Sequence, residues 1–494
     1  MLIKEDLQQL IHDKLSDYRF IVVSNRQPYE HVFKRGKIEC ERTAGGVVTA
    51  LDPVMQACHG LWVASSSGDA DRWMTSKIEV PIDNPTYTLK RIALTKKEEE
   101  GYYYGYSNDA LWPLCHTAFQ RPVFKQEDWQ QYVHVNQKFA DAIMEEVGAS
   151  KAFIWIQDYH LCLLPRLLKE IAPDQLILAH FWHIPWSSYE AFRICPQKDE
   201  ILQGLLANDL ICFHTQYHCN NFLDVIDRQL ESKIDRERFS VIRQNHETLI
   251  RAYPISVDFT GINQEAAEIN FEKLQKDFIE EFSLGNCQLL LGVDRIDYTK
   301  GIPERLYAID RLLEKYPELK EKIVFLQIGA LSRIHIPKYK ALNDEINTLI
   351  EQINWKHSTD GWSPIIFFRR QLPLSKLLVL YRMAEVCIVS SLHDGMNLVA
   401  KEFVSSRCDE GGALVLSQFT GSARELTDAI LINPYDAEQF SDGLYQALCM
   451  PMEERHRRMI KMRQVIHEHN IFRWAGKIIS GILKFQFKEA EVKV

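Results

Sequence analysis

The chain has 494 residues, 46% apolar and 25% charged, a soluble globular composition that is too long for one ordinary core, so two or three domains are expected. A formal net charge of −9 excludes general binding to nucleic acid or to anionic membranes, and any phosphate site must be a local basic pocket. Acids interrupt the stretch MLIKEDLQQLIHDKLSDYRF, no run approaches about 18 uncharged apolar residues, and the 11 cysteines are scattered without a C-x-x-C, so neither a secretion signal nor a membrane helix is expected, and the thiols read as reduced in a cytoplasmic protein.

Residues 4–17 carry the pattern of an amphipathic helix. RFIVVSNR follows as an apolar strand ending at Arg26. In TAGGV, Gly45 and Gly46 permit close backbone approach to a ligand. YYYGYSNDALWP is rich in aromatic faces, suited either to sugar C–H surfaces or to a core. After the helical DWQQYVHVNQKFADAIMEEV come the strands AFIWIQDYH, ending near Asp158, and LILAHFWHIPW, ending near His183. A lone buried histidine such as His183 is commonly a satisfied core residue. LICFHTQ is the next strand. CFHTQYHC puts His214 and His218 at i and i+4 beside Cys212 and Cys219, a zinc-like spacing with no further ligand cluster in view. A division of the chain is expected near RAYPISVDFTG, residues 251–261.

Beyond it, LLLGVDR leads into GVDRIDYTKG, which holds Arg295 and Lys300 in a turn before a helical pattern over Ile302–Tyr316. Such a turn is either a solvated loop with a local ion pair or an anion site, where a helix N-terminus and two cations meet a phosphate. IVFLQIGALSR, PIIFFRRQ, the helical LPLSKLLVLYRMAE, VCIVSSLHDG, ALVLSQFTGS and AILINPYD complete the alternation. In HDGMNLVAKEF, Asp394-Gly395 ends a strand and Leu398 opens a helix; Glu402 is an exposed helix acid or a carboxylate for a ribose diol. FRWAGKIISGILKFQF is a helix with an apolar face that needs a partner.

Continuous apolar strands alternating with helices indicate α/β architecture with two doubly wound, Rossmann-like parallel sheets. Ligands bind such sheets outside the carboxyl ends of the strands, where Arg26, Asp158, His183, Arg295, Arg333 and Asp394 collect. A carboxylate pair for glycoside hydrolysis could be drawn from Asp158, Asp394 and Glu402, but hydrolysis has no need of the Arg295–Lys300 turn.

From about Arg19 to Leu483 the motifs VVSNR, AGGVVTAL, YSNDALWP, DYHL, HIPW, DRIDYTKG, LSR, DGMNLVAKE and LVLSQFTGSARELTDAILINPYD, in that order, resemble the retaining trehalose-6-phosphate synthases. The resemblance implies a GT-B type glycosyltransferase with two Rossmann-like domains facing a cleft. Residues 1–255 would form the acceptor domain, 256–470 the donor domain, and 471–494 a helix packing back on the first. It implies transfer of glucose from a nucleoside diphosphate glucose, expected to be UDP-glucose, to glucose 6-phosphate. Arg295 and Lys300 would hold the diphosphate and Glu402 the ribose. Asp394 with Gly395, Met396, Asn397 and Leu398 would contact the donor glucose, as would Gly45 and Gly46 on the donor side. His183 would lie beside the transferred sugar. Arg26, Tyr103 and Arg333 would hold the acceptor phosphate, and Trp62, Trp112 and Asp158 would complete the acceptor pocket. No metal ligand set and no cofactor are expected; the partners would be the small-molecule substrates, and a homo-oligomer is compatible with them. Gln157 stands where the family often has His, and SNRQPYEH and GLWVASSSGDADR also depart from its pattern, all on the acceptor side. The alternatives are another phosphorylated acceptor such as glycerol 3-phosphate, or a non-catalytic sugar-phosphate-sensing subunit.

Overall fold

A computed structural model describes residues 2–43, 45–331, 333 and 335–492, with side chains described to residue 483. The chain forms two compact units, Met1–Ile255 with Asn470–Val494, and Ser256–His469.

The first unit is built on a ten-stranded sheet in the order Lys233–Asp235, Ser240–Arg243, His246–Ala252, Leu210–Phe213, Leu176–Phe181, Lys151–Gln157, Tyr18–Arg26, Leu61–Ser65, Tyr87–Ile92, Lys77–Val80. Its middle seven strands are parallel, and antiparallel strands close both edges. The central parallel strands Tyr18–Arg26, Lys151–Gln157 and Leu176–Phe181 carry apolar runs buried on both faces, as the covering helices require. Strand order reverses between Tyr18–Arg26 and Lys151–Gln157, so Arg26 and Asp158 leave the sheet at the switch point. A charged hairpin, Tyr29–Lys34 with Lys37–Arg42, stands apart from this sheet. Its two-residue turn, Arg35-Gly36, has both residues at positive φ, +48° and +79°, which matches the twist of the flanking strands.

The helix Ile471–Val492 belongs to this unit. Trp474, Ile478, Ile479 and Ile482 are all buried at helical spacing. The Trp474 ring packs 4.8 Å from Trp155 and 4.9 Å from Phe181, and its indole N–H donates to the Tyr253 carbonyl at 3.2 Å.

The second unit holds a six-stranded, wholly parallel sheet in the order Ile365–Phe368, Ile323–Ala330, Gln288–Arg295, Val386–Val389, Ala413–Ser417, Ile430–Ile432. Its switch point lies between Gln288–Arg295 and Val386–Val389. The helix Ile302–Lys315 starts with Pro303 in its first turn and buries Ile302, Leu306, Ile309 and Leu313 along one stripe. Each such side chain contributes roughly 1.5–3 kcal/mol by leaving water.

Candidate active site

At the switch point of the second unit, the strand Gln288–Arg295 runs into a single 3-10 turn, Tyr298–Lys300, and Gly301 then opens the helix Ile302–Lys315. Gly301 has φ +62°, and a Cβ there would meet the Ser390 carbonyl at 2.2 Å, so the turn accepts no other residue. Lys300 Nζ donates to Asp394 Oδ2 at 2.5 Å, and the same oxygen accepts from Ser391 Oγ at 3.2 Å and Asn397 Nδ2 at 3.3 Å. The loop after Val386–Val389 is stitched to this turn by the Leu392 N–H, which donates to the Thr299 carbonyl at 2.8 Å. Arg295 and Lys300 are half-buried beside it.

Two buried charges support the turn from below, and neither was apparent in the sequence. The Asp297 carboxylate, 0% exposed, accepts from Thr299 N at 3.0 Å and Thr299 Oγ1 at 2.9 Å, from Arg333 Nη1 at 3.1 Å and from the Tyr339 hydroxyl at 3.2 Å. Burial alone would raise its pKa; Arg333, Arg295, the Thr299 N–H and Lys300 together hold it below the ordinary value. Arg305, also 0% exposed, donates to Asp294 at 2.8 Å, Gln327 at 2.6 Å and Ser390 Oγ at 3.0 Å, while Ser390 Oγ donates to the Gly301 carbonyl at 2.8 Å. Gly292 leaves the room for this network, since a Cβ there would lie 2.2 Å from Arg305 Nη1. Arg333 thus sits in the second unit, ion-paired with Asp297.

Downstream, Gly395 and Met396 run against the Thr420–Ser422 segment: the Ser422 N–H donates to the Met396 carbonyl at 2.9 Å, and a Cβ on Gly421 would strike the Gly395 carbonyl. Asn397, at φ +80°, caps the helix Leu398–Ser406 by accepting from the Ala400 N–H at 3.1 Å. Glu402 lies one turn into that helix, buried, accepting from the Tyr381 hydroxyl at 3.2 Å. Burial pushes its carboxyl up to about 7. It is a buried acid, not the exposed helix acid that was the plainer reading. Its neighbour Lys401 is buried as well and pairs with Glu425 at 2.6 Å.

In the first unit, Asp158 takes a backbone conformation of φ +68°, ψ 178°, which non-glycine residues adopt at a cost. Three hydrogen bonds hold it: its N–H to the Phe181 carbonyl at 2.7 Å, its carbonyl with His180 Nε2 at 2.9 Å, and its carboxylate with the His183 N–H at 3.1 Å. His183 is 8% exposed and meets Gln157 Oε1 through Nε2 at 2.8 Å. Burial pushes the His183 ring down to about 3 and that of His180 to about 4. Tyr103 stacks on His160 at 5.8 Å and 13°, and Trp112 packs 5.8 Å from Tyr159, so both flank the turn that follows Asp158. Tyr103 and Trp112 come from a helical segment over residues 96–116 whose middle, Glu99–Leu111, is π-wound; Tyr102 and Tyr106 of that segment are core, and Tyr104 is half-buried. Arg26 is exposed at its strand end. Gly45, just before the helix Gly46–Cys58, lies beside it: a Cβ there would sit 3.4 Å from Arg26 Nη1. These two glycines therefore accompany Arg26 in the first unit.

One expected acceptor residue is corrected. Trp62 is 0% exposed in the middle of the sheet, opposite Val22, with its indole N–H donating to Ser24 Oγ at 2.8 Å and its ring stacked near Tyr87. It is a core side chain, several residues short of the strand's carboxyl end, and cannot wall an acceptor pocket. Past that end, the loop carries Asp71, whose buried carboxylate gathers Gln27 Nε2 at 2.5 Å, the Gly68 N–H at 2.8 Å and the His31 N–H at 2.8 Å. The departures SNRQPYEH and GLWVASSSGDADR are two halves of this one cluster. In the zinc-like CFHTQYHC, His214 Nε2 bonds the His183 carbonyl at 3.0 Å and Nδ1 accepts from the Ile255 N–H at 3.3 Å. Among the described residues no group of three metal-ligating side chains converges, and no helix is long and apolar enough to cross a membrane.

The family model for glycosyltransferase family 20 matches residues 18–484. The trehalose-6-phosphate synthase of Mycolicibacterium vanbaalenii is 37% identical over 472 residues, 94% of this chain and 95% of that protein. Among solved structures, an E. coli chain named for trehalose-6-phosphate and bound with UDP-2-fluoro glucose is 31% identical, with a TM-score of 0.83 over 94% of this chain and 99% of that one. An α,α-trehalose-phosphate synthase (UDP-forming) from Burkholderia xenovorans, in complex with glucose-6-phosphate, is 29% identical with a TM-score of 0.84 over the same shares. The fold is that of the GT-B glycosyltransferases, and with the family model spanning nearly the whole sequence, this chain belongs to glycosyltransferase family 20.

Proposed function

We propose that the protein is a retaining glucosyltransferase that moves glucose from UDP-glucose to glucose 6-phosphate, giving trehalose 6-phosphate. The observation that carries this reading is the cationic turn Arg295–Lys300 at the switch point of the second unit, braced on buried Asp297 and Arg305 and joined to Asp394. Arg295 and Lys300 hold the diphosphate. Lys300 exchanges its bond with Asp394 for one with the leaving group, which leaves Asp394 and the backbone at Gly395–Leu398 to take the sugar hydroxyls. Glu402 accepts the ribose diol. Charge builds on the departing diphosphate in the transition state, where fixed cations contribute most. Transfer is front-face: the acceptor hydroxyl attacks from the side that the diphosphate leaves, and a diphosphate oxygen takes its proton. Asp158, Tyr103, Trp112 and His183 form the sugar side, and Arg26 and Arg333 serve the acceptor phosphate. The eleven free thiols suit a reducing cytoplasm.

The deciding experiment is an acceptor screen with labelled UDP-glucose and product identification. kcat/KM for glucose 6-phosphate should exceed that for glucose by at least about 100-fold, because a free sugar has no phosphate to accept charge-assisted hydrogen bonds from Arg26 and Arg333. Should glycerol 3-phosphate win, the donor chemistry stands and the named product falls. Release of no nucleotide with any phosphorylated acceptor would point to a sensing subunit.

A further inference from the structure

Gln157 and His183 follow adjacent parallel strands and meet side chain to side chain. Gln157 is 1% exposed, and its Nε2 donates to the Trp155 carbonyl at 3.3 Å. A carbonyl can only accept, so the amide orientation is fixed and Oε1 is the atom that faces the ring. Oε1 lies 2.8 Å from His183 Nε2 and has no proton to give, so Nε2 carries one. The ring holds no second proton. It packs on Phe181 at 4.6 Å, on His214 at 5.6 Å and on Trp474 at 6.5 Å, and none of these is anionic. His214 turns its Nε2–H to the His183 carbonyl, and the Asp158 carboxylate is engaged by the His183 backbone N–H. Burial and the neighbouring His180 both push the ring toward the neutral form. Nδ1 is left with a lone pair and no hydrogen-bond partner among the described residues.

We propose that Gln157 is a positioning residue that locks His183 in its neutral Nε2–H tautomer, so that Nδ1 meets the transferred sugar only as an acceptor for a hydroxyl. This rests on the donor reading above. A histidine that could present either nitrogen, or become imidazolium, would at times turn a donor toward the sugar; the glutamine removes both states. The departure at position 157 thus takes on a specific task.

The test is long-range 1H–15N correlation on the full-length protein with 15N-histidine, His183 being assigned by its loss in His183→Asn. A protonated Nε2 and an unprotonated Nδ1, constant between about pH 5.5 and 8.5, are expected. UDP-glucose should shift Nδ1, and UDP alone should not. Gln157→Leu should give a tautomer mixture and lower kcat by about tenfold with little change in UDP affinity. Gln157→Glu keeps an acceptor for Nε2–H, so it should restore the single tautomer and most of kcat, and give kcat/KM a pH dependence that the parent lacks. A protonated Nδ1 in the parent overturns the inference, as does a Gln157→Leu protein with unaltered tautomer and kcat. If the tautomer is as stated and UDP-glucose shifts Nδ1, yet no phosphorylated acceptor receives glucose, the inference stands and the functional reading falls.

Discussion

The two switch points are braced by different chemistry. In the second unit the Arg295–Lys300 turn rests on buried charge: Asp297 with Arg333, and Arg305 with Asp294. In the first unit the strand ends around Asp158 and His183 are held by neutral imidazoles, an amide, backbone groups and the Asp158 carboxylate on a backbone N–H. Opposite charges fixed in a low-dielectric setting hold cations in place for an anion, at the cost of desolvating every partner. Imidazoles, an amide and one carboxylate orient groups for sugar hydroxyls with less buried charge. The contrast suits the division proposed above, in which one unit receives a diphosphate and the other a sugar.

Acidification should break the comparison most forcefully. His180 and His183 ordinarily titrate at 6.5, and burial depresses them to about 4 and about 3 in the folded chain. Their contribution to stability is complete above pH 6.5 and is lost as pH falls toward 4. At about 1.4 kcal/mol per pKa unit, the pair costs the first unit several kcal/mol. Glu402 runs the other way. Its folded value of about 7 lies above the ordinary 4.5, so the folded unit binds the proton more tightly and gains stability as pH falls from 7 to 4.5. Hydrogen exchange followed by mass spectrometry from pH 7.5 down to 4.5 should show protection lost around residues 151–183 before residues 386–417. Simultaneous loss in both units would contradict the titration assigned to these groups.

Next in size is Asp297→Ala. It removes the carboxylate that pairs with buried Arg333, and breaking a buried pair this way costs about 3–5 kcal/mol. Exchange should accelerate at residues 297–301 and 333–341 while the first unit is unaffected, and kcat/KM should fall for donor and acceptor alike. Unchanged protection at both segments would show that the carboxylate is not their link.

Lys300→Ala sharpens the chemical side. Loss of one group aimed at developing charge lowers kcat by about 10²–10³-fold. Ser391 and Asn397 still serve Asp394, so Tm should move little. Near-normal turnover would remove the leaving-group role. The smallest effect concerns the corrected residue. Trp62→Phe should cost about 1 kcal/mol through the lost bond to Ser24, with the KM for glucose 6-phosphate unchanged. A tenfold rise in that KM would return Trp62 to the acceptor pocket.

The parallel strands were legible because burial on both faces leaves continuous apolar runs such as LILAHF and IVFLQIGA, and these elements carry the sheets. Less legible was whatever the runs do not encode. The hairpin Tyr29–Arg42 alternates charged and apolar residues at an exposed position and announces itself only by Arg35-Gly36. The strand Leu61–Ser65 is short, and Tyr87–Ile92 is interrupted by Thr88, Lys90 and Arg91, so neither leaves a long apolar run. At the sites, the cations and carboxylates at strand ends could be picked out, because polar residues ending apolar runs need a reason. Asp297 and Arg305 could not, since a buried charge and a surface charge look alike until the partner 36 or 85 residues away is known. Trp62 failed for the converse reason: a motif position gives no depth within the sheet.

The return of the last helix to the first unit has a consequence for biosynthesis. Residues 256–469 form a continuous unit that can close as soon as they have left the ribosome. The first unit, though translated earlier, lacks Trp474 and Ile478 until the second unit has been made, so Trp155 and Phe181 wait without the side chain that covers them. Synthesis order and completion order are therefore reversed. Nascent chains stalled before residue 470 should engage chaperones through their N-terminal half, and a tag or truncation that disturbs the helix Ile471–Val492 should be felt beside His183, in the unit farthest away along the sequence.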